Sequence, residues 1–433
     1  MGDFSVEILN HEVNKVNENY SLTFEIRGNN EYGLDKSLIN GIRRILISSL
    51  PSVAFRIERD NSDLKVVKNT TALHNEFLLH RISLIPLYID PSAFKKGLLF
   101  HLNVKNNSNI LKPITSKDFN IHKIKPSVLQ ECVKQDDFSV LDDIKLENYD
   151  MSDLGKLSDE EKEKIFRPFK IRDFTEYCLI TELNTTHSKD NIPELEIYGS
   201  PSVSYGTEKA CWSPVSCSVY SFKEDEELFV KVSNEKMKIN NIPSDKENIF
   251  VKELYQSEGE RYFKRDKNLN PYWYNFRIDS QGYYPPHKTK DGDGLLVRAC
   301  SRLINLFEGT KLEFKKLLDP DSDSIMEIKK IKSDNDLLYR IIMTGGDDTI
   351  GSIIQSHIVN HHINDKSIFN LVGYKKVHPL EEVIQFTISL NTANKIVKMD
   401  NIQKINAIVD LFVTACDEIN VIYQKIREES EKV

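Results

Sequence analysis

Three histidines stand within six positions in SHIVNHH, His357, His361 and His362, and imidazoles so close could share a metal ion. His357 and His361 are one helical turn apart, the spacing with which two rings on one helix face hold zinc. A zinc-protease site would also place a glutamate between them or a third carboxylate nearby, and this stretch has neither. On a helical wheel both rings fall beside Ile350, Ile353 and Ile354. Half-buried packing is therefore the expectation, with no metal bound.

Other reactive types give weaker signals. Six cysteines, Cys132, Cys178, Cys211, Cys217, Cys300 and Cys416, contain no C-x-x-C pair, which argues against both a zinc ribbon and a secreted disulfide framework. A reducing compartment is expected. His80 and Arg81 close a short helical run before Pro86, where a hydrogen bond fixing the turn is expected rather than acid–base catalysis. EEKEK, Glu160 to Lys164, reads as a solvated helix face.

Arg43 and Arg44 sit inside SLINGIRRILISSLP, an otherwise apolar helical run. At 100° per residue, with Ile42 as zero, Leu34, Leu38, Ile39, Ile45, Leu46 and Leu50 lie within about 80° of it. Ser37, Asn40, Gly41, Arg44 and Ser48 fall opposite, with Arg43 on the border. Glycine inside a helix costs about 1 kcal/mol against alanine, so Gly41 needs a reason. Small residues around a guanidinium would let another protein's backbone approach while Arg44 reaches a carboxylate or carbonyl. This side is either an ordinary solvated helix face with two surface arginines or a docking face, for which Ser37, Asn40, Gly41, Arg43, Arg44 and Ser48 are the candidate residues.

These positions need elements to hold them. SLTFEIRG alternates as a strand, Leu34 to Leu50 is helical, VAFRIE alternates, and LHNEFLLHRISL is helical up to Pro86. From residue 90 to 268 polar segments mix with short strand-like runs such as PELEIYG and PVSCSVYSF, as in an inserted, mostly β domain. WYNFRIDSQG resumes as a strand with Tyr274, Phe276 and Ile278 on one side, and the helix GLLVRACSRLINLF follows. DPDSD, Asp319 to Asp323, is the best linker candidate. Beyond it come strand character, the helix DTIGSIIQSHIVNHH, another strand-like stretch, and a terminal helix. That last helix carries Ile402, Ile405, Val409, Phe412, Cys416, Ile419, Tyr423 and Ile426 as an apolar stripe suited to a partner helix.

The chain's 433 residues suffice for two or three cores. With 66 acidic against 58 basic side chains, a general grip on nucleic acid is disfavoured. No window offers about 18 uninterrupted apolar residues and the first residues do not read as a secretory leader, so a soluble intracellular protein is expected.

An internal repeat organises the rest. SLINGIRRIL aligns with TIGSIIQSHI, setting Ser37 on Thr349, Leu38 on Ile350, Asn40 on Ser352, Ile42 on Ile354 and Leu46 on Ile358. Each helix lies between strand-like runs. Two like halves suggest a dimer fused into one chain.

SLINGIRRILISSLPSVAF followed by NTTALHNEFLLHRISLIPL resembles the assembly subunits of cellular RNA polymerases: bacterial alpha, its archaeal D-type counterpart and the third-largest subunit of eukaryotic RNA polymerase II. Asn40, Arg43, Arg44, Glu76, Phe77, His80, Arg81, Pro86 and Leu87 match the family pattern. GTEKACWSPV is similar to its G-x-x-H-A-K-W-S-P run, keeping Trp212, Ser213 and Pro214 but departing at residues 208–211. The second half is similar to the small partner subunit, through GDDTIGSIIQSHI and through Gly373, Tyr374, His378, Pro379 and Leu380 of VGYKKVHPLEEV. A large-and-small fusion in one chain resembles the arrangement in large DNA viruses.

The resemblance implies an α+β fold of two alpha-type dimerisation domains forming an intramolecular pseudo-dimer. The expected boundaries are residues 1–89 with 269–318 for the first domain, 90–268 for the insert, 319–325 for the linker and 326–433 for the second domain. It implies a non-catalytic platform for the largest and second-largest polymerase subunits, joined by small zinc-binding subunits, with no strong nucleic-acid contact and no membrane contact. Glu76, Phe77, His80, Arg81, Pro86, Trp212, Pro214, Gly373, His378 and Pro379 are expected as structural motif residues. Leu296, Leu303, Phe307, Ile350, Ile353, Phe412, Ile419 and Tyr423 are expected to pair the halves. Relatives carry a cysteine cluster for zinc or an iron–sulfur centre in the insert, whereas Cys132, Cys178, Cys211 and Cys217 are dispersed, so no cofactor is expected. The implied location is the host cytoplasm at a virus factory, or the virion, with the nucleus left open.

Overall fold

Alternation in SLTFEIRG and WYNFRIDS produces two strands, Asn19–Arg27 and Trp273–Ser280, that pair antiparallel across a wide sequence gap. Phe24 lies opposite Phe276 in register and their rings stack at 5.3 Å. In this computed structural model the described residues are 5–16, 19–29, 34–58, 61–94, 97–123, 155–186, 192–267, 269–289, 292–319, 322–331, 337–364, 367–391 and 399–433. Cys132 and positions 320 and 321 of the expected linker lie outside them. Among the described residues the α-helices are α1 (Lys36–Ser48), α2 (Asn75–Ser83), α3 (Asp159–Ile165), α4 (Glu226–Ile239), α5 (Glu247–Glu258), α6 (Leu295–Lys316), α7 (Asp348–His361) and α8 (Asn401–Ser430). Among the described residues, no helix is long and apolar enough to cross a membrane.

Two four-stranded antiparallel sheets share one wiring. The first runs Glu7–Val16, Asn19–Arg27, Trp273–Ser280, Val215–Phe222 in space, and the second runs Met326–Lys330, Leu338–Thr344, Val383–Leu390, Phe369–Lys376. In chain order each is a hairpin, a helix, two more strands and a second helix, with the last two strands exchanged in space. Helices α1 and α6 belong to the first set and α7 and α8 to the second. All four contribute to one hydrophobic core that also takes in the inner faces of both sheets.

The helices cross in antiparallel pairs. Phe307 of α6 stacks on Tyr423 of α8 at 6.1 Å, Lys311 meets Asp417 at 2.5 Å, and Phe314 lies 4.9 Å from Phe412, so α6 ascends as α8 descends. Helix α8 is 30 residues long, and its first turn is fastened by a reciprocal cap. Gln403 N–H donates to the Asp400 carboxylate at 2.7 Å while Asp400 N–H donates to the Gln403 side chain. At α1 against α7, Arg44 lies 3.8 Å from Asp347 and Gly41 faces Ile353. A Cβ at Gly41 would stand 2.7 Å from Ile353 Cδ1 and 2.8 Å from the Tyr423 hydroxyl. That hydroxyl donates to the Leu38 carbonyl at 3.1 Å, tying α8 to α1 as well.

A second core lies elsewhere. Its five-stranded sheet runs Leu64–Asn69, Glu194–Gly199, Leu98–Lys105, Phe119–Lys123, Gly155–Lys156, and α2 packs on it through Leu78 and Ile82. Phe55, Phe100, Phe119 and Phe166 form its aromatic centre. Strand Pro51–Ala54 pairs with Ser202–Tyr205.

Pairing therefore divides the chain at other points than expected. Residues 51–89, expected with the first dimerisation domain, pack with the second core, while Val215–Phe222, expected in the insert, is an edge strand of the first sheet. Local periodicity reports a strand but not the sheet it joins, and that choice rests on partners tens of residues away. The expected mostly β stretch also holds α4 and α5. These bury little beyond Ser233 and Leu254, and so carry no strong helical period.

Filling the Gly41 notch should cost stability. Gly41→Val is expected to destabilise by about 1–3 kcal/mol through overpacking, and Ile353→Ala by about 2–5 kcal/mol. The double variant should cost less than the two together in urea unfolding, whereas simple additivity would mean that the two side chains do not meet.

Candidate functional site

The arginine helix uses its small residues inward. Ser37 retains only 8% of its surface and Gly41 is buried against Ile353 and Tyr423, so neither belongs to an outward docking face. This corrects the expectation: a helix in contact with both a sheet and two other helices has a core wider than one stripe. Asn40, Arg43, Arg44 and Ser48 remain partly exposed. Arg43 Nε donates to the Asn40 side chain at 2.9 Å, which fixes the guanidinium on the helix surface. Arg44 lies beside Asp347, the N-cap of α7, an exposed contact that is energetically weak.

Helix α2 shows the reverse. Leu78 and Ile82 are buried, and Glu76, Phe77, His80, Arg81 and Leu84 stand exposed around it, Phe77 at 70%. Phe77, His80, Arg81 and Leu84 follow a three- and four-residue spacing and so share one outward side. Expected as structural residues, Glu76, Phe77 and His80 face solvent instead, since the helix spends its apolar stripe on Leu78 and Ile82. Arg81 has a structural bond, Nη2 to the Leu179 carbonyl at 3.2 Å, and Leu179 is itself exposed beside it. Pro86 is half-buried just past the helix.

The GTEKACWSPV loop holds the second core against α1. A Cβ on Gly206 would stand 2.2 Å from the Ile47 carbonyl oxygen, so only glycine allows this approach, and Thr207 N–H donates to the Ser48 carbonyl at 3.0 Å. Trp212 is fully buried and its indole N–H donates to the Ser202 carbonyl at 3.3 Å. The Arg56 guanidinium lies 5.2 Å from the Trp212 ring and grips Glu208 through Nε at 2.8 Å and Nη2 at 3.1 Å. Ser204 also donates to Glu208. Pro214 is buried and its carbonyl accepts from Gln281 N–H at 2.7 Å.

In the second half Gly373 is a strand residue opposite Thr387 with open space beside it. His378, Pro379 and Leu380 sit at the exposed connection into the next strand, Leu380 at 89%, so this block is a surface feature rather than a structural one. Leu380 N–H donates to His378 Nδ1 at 3.2 Å. Leu296, Leu303, Phe307, Ile350, Ile353, Phe412, Ile419 and Tyr423 are all buried in the shared core.

The histidines gather around a residue from elsewhere in the chain. His357 Nε2 and His362 Nε2 both lie on Glu418 Oε2, at 2.8 and 2.7 Å. The pair anticipated from the sequence was His357 with His361, whose rings lie 4.6 Å apart. Burial, with the neighbouring His357 next in weight, pulls the His361 ring down to about 4, so it is neutral near pH 7. Glu418 was invisible to local spacing because it comes from α8. Partial burial opposes its ionisation, yet hydrogen bonds from His357 and His362 hold its carboxyl far below the ordinary range.

The motif residues Glu76, Phe77, His80, His378 and Pro379 are thus displayed on an exposed helix and an exposed turn of a mixed α/β fold with two cores. The chain is similar in sequence to subunits of DNA-directed RNA polymerases. It is 20% identical over 344 residues to human DNA-directed RNA polymerases I and III subunit RPAC1, a match covering 72% of this chain and 86% of that one. The Dictyostelium discoideum subunit rpac1 is 31% identical over 109 residues, 22% of this chain and 30% of the relative. Archaeal subunit Rpo3 of Pyrobaculum calidifontis is 44% identical over 55 residues, 13% of this chain and 19% of the relative. The more similar matches thus span under a third of their relatives' length. No protein-family profile matches the chain.

The Glu208 clasp gives a pH-dependent expectation. The Arg56 guanidinium holds the Glu208 carboxyl below its ordinary value of 4.5, so ionised Glu208 contributes stability above that pH and loses it as pH falls through the depressed folded value. Glu208→Gln should lower stability at pH 7 by about 1 kcal/mol, discounted for partial exposure. The gap from wild type in urea unfolding should narrow below about pH 4.

Proposed function

We propose that the chain is the fused assembly platform of a multisubunit DNA-directed RNA polymerase, an alpha-like subunit and its small partner in one polypeptide. The carrying observation is the repeated wiring: each half has the same order of strands and helices in the same spatial arrangement, and both feed one core. The aligned helices α1 and α7 meet at equivalent positions, Gly41 against Ile353. This geometry supports an intramolecular pseudo-dimer. Fusion gives the pairing an effective concentration on the order of mM for a short linker. On this reading the first dimerisation domain comprises the first sheet with α1 and α6, residues 51–214 are the inserted domain, and residues 326–433 are the second dimerisation domain.

The platform offers different surfaces to its two large partners. The first half presents the exposed side of α2 with Arg43 and Arg44, assigned to the second-largest subunit. The second half presents His378, Pro379 and Leu380, assigned to the largest. Small zinc-binding subunits complete the assembly. The single-chain fusion favours a large DNA virus as source and its cytoplasmic factory as the place of action. The net charge of -8 fits a scaffold better than a nucleic-acid grip.

Affinity purification of the tagged chain from its native source should recover both large polymerase subunits, and recovery of neither would overturn the proposal. Phe77→Asp is expected to leave unfolding within about 0.5 kcal/mol of wild type, as for other exposed positions. Recovery of the second-largest subunit should fall more than tenfold while the largest is kept. Undiminished recovery of both would remove α2 from the interface.

A further inference from the structure

We propose that His357, His362 and Glu418 form a binding site for a zinc-class divalent ion that staples α7 to α8. Three potential ligand atoms, two imidazole nitrogens and one carboxylate oxygen, lie within 4.8 Å of one another. Tetrahedral zinc with ligand bonds near 2.0–2.1 Å sets its ligand atoms roughly 3.3 Å apart. The two nitrogen–oxygen separations of 2.8 and 2.7 Å then need to open by only about half an ångström, and the ion takes the place of the Nε2 protons that Glu418 now accepts, each neutral ring then carrying its proton on Nδ1.

Placement adds to the geometry. His357 is 2% exposed and cannot swing away, and Glu418 belongs to a helix packed along its length, so two of the three ligands are pre-positioned. His362 is the C-cap of α7, where unsatisfied carbonyls make the local potential negative and favour a cation. Among the described residues the hydrogen-bond and ion-pair partners of Glu418 are these imidazoles, with no lysine or arginine among them. Two imidazoles and one carboxylate suit zinc rather than magnesium or calcium, which favour all-oxygen sets. His362 and Glu418 each keep about a fifth of their side-chain surface in solvent, which admits the ion and a water as fourth ligand.

This site is independent of the docking surfaces and of the polymerase reading. Zinc alone, titrated into the metal-free full chain by competition with a chromophoric chelator, should bind at one equivalent and raise the melting temperature. His362→Ala, at a partly exposed position that tolerates truncation, should weaken binding at least tenfold, as should Glu418→Gln. Cobalt substitution should give the visible absorption of a tetrahedral site in wild type and not in either variant. Absence of stoichiometric zinc binding by wild type would overturn the proposal. Equal affinity in both variants would also overturn it, since the ion would then reside elsewhere, for instance at the cysteines.

Discussion

The contact between α1 and α7 at Gly41 and Ile353 is the constraint on which the rest depends. Without a side chain at residue 41 the two helices cross closely enough for Ile353 and Tyr423 to enter the same space. Tyr423 then reaches the Leu38 carbonyl, which brings α8 under α1, and α8 carries α6 with it through Phe307 and Phe314. Two sheets that would each expose an apolar face are thereby closed over one interior. At about 1.5–3 kcal/mol per buried large aliphatic side chain, that shared interior is too favourable to open under ordinary conditions.

Where the fold was legible, one residue's burial depended on neighbours three, four or two positions away. Tyr274, Phe276 and Ile278 alternate as expected, and the apolar stripe of the terminal helix is buried from Val409 onward, with Ile405 half-buried and Ile402 in solvent. Failures share the opposite property. Ser37 and Gly41 are polar or small and looked like surface, yet a helix gripped from several sides buries such residues because they let backbones approach. Glu418 joins His357 and His362 from another helix, so no local spacing could reveal it. Sheet membership of residues 51–54 and 215–222 was hidden for the same reason.

Several motif residues lie on the surface rather than in the interior that a structural task would give them. The EF-x-x-HR block was read as structural, but its conspicuous members are outward, and Phe77 is left largely in solvent. Trp212 and the loop around it do hold structure: Gly206 sits on the end of α1 while Trp212 fills the seam beside Ser202, so the second core is fixed to the arginine helix. One loop therefore touches both α1 and the strand pair of the second core.

Gly41 and Ile353 stand at aligned positions of α1 and α7, and one supplies the space that the other fills. Two copies of the first half brought together would set glycine against glycine and leave the volume of an isoleucine empty, a defect of about 2–5 kcal/mol. Two second halves would force isoleucine onto isoleucine and overfill the same place at about 1–3 kcal/mol. Only the unlike combination closes the gap, so the sizes of residues 41 and 353 favour packing α1 on α7 over packing either helix on a copy of itself.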